Sequence, residues 1–382
     1  MDQKVKKVLS VLCIVLSITA VVCIAFGNQE LHDAWDAVRR LDPLYLLCLL
    51  GCWAVYAGGD GLALWFCLRR QGFTLSPGSI VRITLSGFFY SNITPGASGG
   101  QPMQVAAMNK AGVPVGNGTT AVTIRLICNQ FMVSLLSLIF LIANRAFVYR
   151  QLEGAIWFVR VGWVINFAVV PLVLLAAFRL SWVRKLVNGL ISLLTKIRIL
   201  KDPDAIRKNA DDVLDTYHTA LNALLRSPGQ IVLQCLCSAA SLFALTGTIV
   251  FVYHAFGLSG TPWYHLITLA FVLFVSASYT PLPGASGAQE GGFLYYFRGI
   301  FTGGTIGLAL LIWRFFTYYL FIFVGVINLL LEKLLKRKRE HPQEGTDSES
   351  GSVLREDTET ASGSVPREGA ESESNGSPRE DT

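Results

Sequence analysis

The sequence predicts an all-α polytopic membrane protein, with about six full spans plus two re-entrant broken-helix hairpins in an inverted repeat. Three observations carry this expectation. Of 382 residues, 52% are hydrophobic and only 15% charged, with a mean hydropathy of +0.48, which is too apolar for a soluble domain of this length. Apolar runs close to the ~20 residues that a bilayer demands recur along the chain. The seven-residue segments Pro95–Gln101 and Pro283–Gln289 match at six of seven positions, and each interrupts strongly apolar sequence. A Pro-Gly-Ala-Ser-Gly break is tolerated in lipid only where the freed backbone groups are buried in protein or line a polar cavity. Paired breaks in two halves of a chain point to a midplane site.

The first run, 8–26, follows Lys4, Lys6 and Lys7. It is long for a signal peptide and no small-residue cleavage site follows, so it reads as an uncleaved anchor. The second run, 44–67, contains Gly58-Gly59-Asp60-Gly61. A shorter stretch, 78–91, leads into the first break, giving a hairpin over about 78–110. Runs 120–143 and 155–178 follow, and then the connection 179–229, where Leu186, Leu190, Leu193, Leu194 and Ile197 alternate with basic residues at helical spacing. That pattern suits a helix on an anionic inner leaflet or, equally, a solvated helical linker. The run 230–255 opens the second half, 264–280 leads into the second break and a hairpin over 264–300, and 304–333 closes it.

Beyond His341 the composition turns to Ser, Glu, Gly, Thr and Pro, with eleven acids against three arginines. This is read as a disordered acidic cytoplasmic tail at 341–382, net −8, leaving +14 on residues 1–340. The expected organisation is one membrane domain, 1–340, with half one at 44–143 and half two at 230–333, joined through 144–229.

Basic residues mark the cytoplasmic ends of spans. They flank the amino terminus, the end of the second run (Arg69, Arg70), the 179–229 connection and the exit from the last run (Lys333 to Arg339). With both termini cytoplasmic, parity lets the first hairpin open inward and the second outward, the pattern of an inverted repeat.

Ionisable residues inside apolar spans cost at least ~2.5–3.5 kcal/mol on insertion scales and commonly mark function. They are Asp60, Arg125, Glu290, Arg298 and Arg314. Arg125 follows Pro95 by thirty residues and Arg314 follows Pro283 by thirty-one, so the repeat includes its charge. Arg125, Arg314, Asp60 and Glu290 are therefore the candidate contacts to a lipid head group. For the arginines the alternative is a structural role, satisfying carbonyls freed by the breaks. Asp60 equally suits an ion pair with Arg125, and Glu290 a helix cap. Asn92, Thr94, Pro95, Gly96, Ser98, Gly99 and Gln101 of the first segment, with Pro283, Gly284, Ser286, Gly287 and Gln289 of the second, are the candidate cavity lining.

The eight cysteines lie in or beside apolar runs and read as small hydrophobes, and Cys235-Leu-Cys237 lacks zinc-site spacing. No metal, cofactor or catalytic residue is assigned. Neither a Walker lysine motif nor GxSxG is present.

The stretch Asn92-Ile-Thr-Pro-Gly-Ala-Ser-Gly-Gly-Gln-Pro102, followed by Arg125 and the echo Pro283–Gly292, resembles the lysylphosphatidylglycerol synthase transmembrane family, also called the flippase-like domain family. The likeness covers most of residues 1–335. MprF-type members join such a region to a soluble domain that moves lysine from lysyl-tRNA onto phosphatidylglycerol. Residues 341–382 are low-complexity and too few for that domain, so the expected role is the lipid-handling part, a phospholipid translocase acting on aminoacyl-phospholipid or a related anionic lipid. The alternatives are a lysyltransferase that would also engage tRNA, and a membrane scaffold for a separately encoded lipid synthase. DNA is not an expected partner. The resemblance further implies a bacterial plasma membrane and resistance to cationic antimicrobial peptides.

Overall fold

The computed structural model describes residues 41–340, apart from residue 303 and parts of 179–225. The expected first span at 8–26 and the acidic tail lie outside the described residues. The described chain is helical and shows no strand.

Helix α1 runs Pro43–Arg70, α2 Pro77–Ile93, α3 Gly100–Lys110 and α4 Val115–Ala143. A short α5, Arg145–Gln151, was not expected; it leads to α6, Ile156–Phe178, and α7, Leu180–Lys196. Then come α8, Pro228–Ala255, α9, Trp263–Ala277, α10, Ala288–Tyr296, α11, Ile306–Arg314, and α12, Leu320–Glu340. A single-turn 3₁₀ helix sits at each break, Pro95–Ala97 and Pro283–Ala285. The order long helix, helix, 3₁₀ turn, short helix, long helix thus occurs twice, as α1–α4 and as α8–α12.

Local chemistry sets the starts. Asp42 caps α1, its Oδ1 accepting from the Leu44 N–H at 2.9 Å, and Ser76 caps α2 by accepting from the Ser79 N–H at 3.3 Å. Proline follows each cap, where its fixed φ and missing N–H are harmless. Pro228 likewise opens α8 after Ser227, here without a side-chain cap hydrogen bond.

Among the described residues, four helices are long and apolar enough to cross a membrane: Pro43–Arg70, Val115–Ala143, Pro228–Ala255 and Ile306–Leu334, the last continuous through a π-helical turn at Phe315–Tyr319. In α1 only 22% of the apolar window is buried, and Leu44, Leu47, Val55 and Leu62 point outward. Apolar side chains turned away from the core are what a lipid-facing surface needs. Buried side chains collect in one cluster within half one (Leu64, Leu68, Ile83, Met108, Ile124) and a larger one centred on half two (Leu269, Leu273, Phe293, Trp313). Val133, Leu136, Leu242 and Phe271 make a third between them.

The longest contact joins α1 to α8, the first helices of the two halves. Gly59 permits it: a Cβ there would stand 2.3 Å from Ser241 Oγ, which donates to the Tyr56 carbonyl. Deeper in the same contact, buried Gln234 donates to the Ala63 carbonyl at 2.7 Å. α2 packs on α3, α9 packs on α10, and the two 3₁₀ turns touch each other. The breaks therefore meet at the junction of the halves.

Candidate functional site

Each break passes through two consecutive left-handed residues: Gly96 and Ala97 at φ 59° and 56°, and Gly284 and Ala285 at φ 58° and 51°. The two alanines are the sole non-glycine residues in this region among those described. Alanine pays a steric penalty there, so the tertiary structure must impose the turn.

Between the turns lies a cavity of about 350 Å³. Half one supplies Tyr56, Phe88, Ser91, Asn92, Gly96 and Ala97, while half two supplies Thr246, Phe274, Ser278, Thr280, Gly284, Ala285, Gln289, Trp313, Arg314, Thr317 and Tyr318 among others. The two copies of the motif thus face one space. Its wall is aromatic and hydroxyl-rich. Gln289 is 9% exposed, and its Oε1 is buried without a hydrogen-bond partner. A carbonyl left in that state is costly unless a donor reaches it.

Among the described residues, Arg314 is the one ionisable side chain in this lining besides the tyrosines, and it is tightly held. Its Nε donates to Glu290 Oε1 at 2.7 Å and its Nη2 to the Gly284 carbonyl at 3.0 Å, at 3% residue exposure. The other oxygen of Glu290 accepts from the Gly287 N–H at 2.5 Å, capping α10. The π-turn that follows Arg314 directs Thr317 and Tyr318 to the same wall, and Tyr318 donates to the Asn92 carbonyl at 3.0 Å. Such π-bulges occur often at functional sites.

Arg125 takes the structural alternative, pairing with Asp60 and standing outside the cavity lining. Its Nη1 donates to Asp60 Oδ2 at 2.6 Å and its Nη2 to Gln104 Oε1 at 2.6 Å, binding α4 to α1 and α3. Arg125, Asp60 and Glu290 stand outside the cavity lining, and each of the two carboxylates is paired with an arginine. Arg298 lies at the surface over the Tyr295 ring, 4.3 Å from its centroid. Of the motif residues, Asn92, Gly96, Gly284 and Gln289 line the cavity. Thr94, Pro95, Ser98, Gly99, Gln101, Pro283, Ser286 and Gly287 do not. Thr94 instead holds the turn, accepting from the Gly99 N–H at 2.8 Å and donating to the Tyr90 carbonyl at 2.6 Å. Ser98 and Ser286 donate to the carbonyls of Pro95 and Pro283.

With this geometry in view, the comparisons with known proteins are specific. A family model described as the lysylphosphatidylglycerol synthase TM region matches residues 8–325. The chain belongs to this family. A UPF0104 membrane protein of Archaeoglobus fulgidus is 24% identical over 328 residues, covering 81% of this chain and 93% of that protein. The match to the lysylphosphatidylglycerol synthase TM region takes in both breaks, both arginine–carboxylate pairs and the cavity between them. It makes the chain a multi-pass membrane protein, in keeping with its apolar helices.

Sequence reasoning missed Tyr56, Phe88, Ser91, Thr246, Ser278 and Thr317 as wall residues. Tyr56, Phe88, Ser91 and Thr246 sit at ordinary helical positions, Ser278 in the turn after α9 and Thr317 in the π-turn, and nothing in their spacing marks them. Among the described residues no three His, Cys, Asp or Glu side chains converge as a metal site would require.

Proposed function

We propose that this chain is a phospholipid translocase of the plasma membrane, carrying an aminoacyl-phospholipid or related anionic lipid with its head group in the cavity between the two breaks. The observation that carries this reading is the cavity itself: both copies of the repeated motif line it, together with Arg314 and an unpartnered buried carbonyl on Gln289. The guanidinium of Arg314 suits a phosphate oxygen. Gln289 Oε1 asks for a hydrogen-bond donor, such as a hydroxyl or an ammonium group. Because Glu290 already balances the charge of Arg314, the wall favours a head group with both phosphate and donor over a bare anion. Asp60, Arg125 and Glu290 act by position, keeping the helices around the cavity in register.

The test is transfer of labelled phospholipid between leaflets of liposomes holding the purified chain. Gln289→Leu and Arg314→Lys should slow transfer about tenfold or more while the helical content stays unchanged, the loss of one buried polar contact being worth about 1–3 kcal/mol. Normal transfer by both variants would remove the cavity from the mechanism.

The same reading places both termini in the cytoplasm and inserts the hairpins from opposite sides. A cysteine at Lys110 should then react from the cytoplasmic side and one at Thr302 from the other, in a chain cleared of its native cysteines. Labelling of both from one side would end the inverted arrangement.

A further inference from the structure

The end of α1 and the start of α8 line an open pocket of about 460 Å³ that shares no lining residue with the central cavity. Arg69, Arg70 and Arg226 converge on it, with Ser227 and Gln230 beside them. Arg70 Nη2 donates to Ser227 Oγ at 3.3 Å, joining segments 157 positions apart, and the Arg69 guanidinium lies 5.1 Å from the centroid of the Trp65 ring. These contacts order two of the three side chains without neutralising them.

Among the described residues no carboxylate lines this pocket, and none of the three arginines has an ion-pair partner. The contrast is with Arg125, Arg184, Arg207 and Arg314, each of which has an aspartate or glutamate within salt-bridge distance. Three like charges around one space repel one another unless an anion sits among them. Guanidinium groups carry planar, paired donors that match phosphate oxygens.

Position narrows the source of that anion. α1 is an apolar span that terminates in Arg69 and Arg70, and α8 is an apolar span that begins two residues after Arg226. The pocket therefore lies where two hydrocarbon-length helices end, the level at which phospholipid head groups stand. We propose that Arg69, Arg70 and Arg226 form a binding site for the phosphate of an anionic phospholipid at the rim of the helix bundle. It is separate from the central cavity and does not depend on the translocase reading.

The test uses the full chain in phosphatidylcholine nanodiscs doped with phosphatidic acid, whose head group is a phosphate alone, with lipid retention read by native mass spectrometry. The triple variant Arg69→Gln, Arg70→Gln, Arg226→Gln should lose affinity for phosphatidic acid by about a hundredfold, at roughly a factor of five per arginine near a membrane surface. All three side chains are exposed, so the variant should keep its helical circular dichroism. A control variant removes the same charge from other exposed arginines, Arg145→Gln, Arg150→Gln and Arg160→Gln, and should retain the lipid. Equal retention by the site variant and the unaltered chain would overturn the proposal, as would equal loss in the site and control variants. Displacement of the lipid by millimolar inorganic phosphate would reassign the site to free phosphate and overturn its lipid identity.

Discussion

At both breaks the chain turns through the same left-handed Gly–Ala pair, yet the groups that hold the two turns differ in chemistry. The second is held by charge: Arg314 grips the Gly284 carbonyl and Glu290, and Glu290 grips the Gly287 N–H. The first is held by a hydroxyl, Thr94, bridging Gly99 and Tyr90. Half one has its arginine and its acid too, but Arg125 and Asp60 are spent on fastening three helices together. The pairs are thus equivalent in sequence spacing and different in task. The backbone after the turn diverges accordingly, Ser98 being helical at ψ −21° and Ser286 extended at ψ 143°.

The comparison is most exposed at the two carboxylates. The Arg314–Glu290 side chains are 4% and 5% exposed, and those of Arg125 and Asp60 are 10% and 23% exposed. Breaking a buried pair strands its partner and costs about 3–5 kcal/mol. Glu290→Ala should reach that range in thermal unfolding of the purified protein. Asp60→Ala should cost less, because Gln104 still accepts from Arg125. Replacing both members, Arg314→Met with Glu290→Leu, removes the stranded charge but leaves the Gly284 carbonyl and the Gly287 N–H without these partners, so it should recover only part of the stability and none of the lipid transfer. A larger loss for Asp60→Ala would reverse the assignment of tasks.

The glycines of the turns give the next effect. A Cβ on Gly284 would lie 2.1 Å from the Tyr318 ring, whereas one on Gly96 meets nothing within 4 Å. Gly96→Ala should show only the left-handed penalty of about 1–2 kcal/mol. Gly284→Ala adds a collision with a ring that is itself buried and hydrogen-bonded, so it should destabilise more and disturb the cavity wall. Equal losses in denaturation would mean that Tyr318 is free to move.

How much of this was legible beforehand follows from which interactions leave a trace in sequence. The hairpins 78–110 and 264–300 correspond to α2–α3 and α9–α10, because a Pro-Gly break in apolar sequence has few other outcomes. The spans expected at 44–67, 120–143 and 230–255 lie within α1, α4 and α8. The arginines stood out because charge in such runs is rare. The sequence offered the Asp60–Arg125 pair and a helix cap by Glu290, but not the Arg314–Glu290 pair, which only packing decides. The wall residues on α2, α8 and α9 were hidden for a related reason: helix rotation determines them, and apolar membrane helices carry little amphipathic signal to set that rotation.

The one mismatch between the motif copies, Gly100 against Ala288, is explained by packing. A Cβ on Gly100 would stand 1.8 Å from Ser91 Oγ and 2.7 Å from the Gly87 carbonyl, which is backbone and cannot swing aside. Gly100→Ala should therefore separate α2 from α3 and lower the unfolding temperature measurably, and adding Ser91→Ala should not restore it. Ala288→Gly should cost only the helix propensity difference of about 0.5–1 kcal/mol.

The smallest effect tests the hydroxyl fastening of the first break. Thr94→Ala removes the acceptor for the Gly99 N–H and the donor to Tyr90, in the manner of a lost helix cap, and should cost about 1 kcal/mol. Thr94→Ser keeps both hydrogen bonds and should restore most of that stability. Because a neutral hydroxyl holds this turn, its contribution should be insensitive to salt and unaffected by Asp60→Ala, so the two losses should add. Strong coupling between Thr94 and Asp60 in a double-mutant cycle would show that the first break is also held by its ion pair, and the contrast between the halves would collapse.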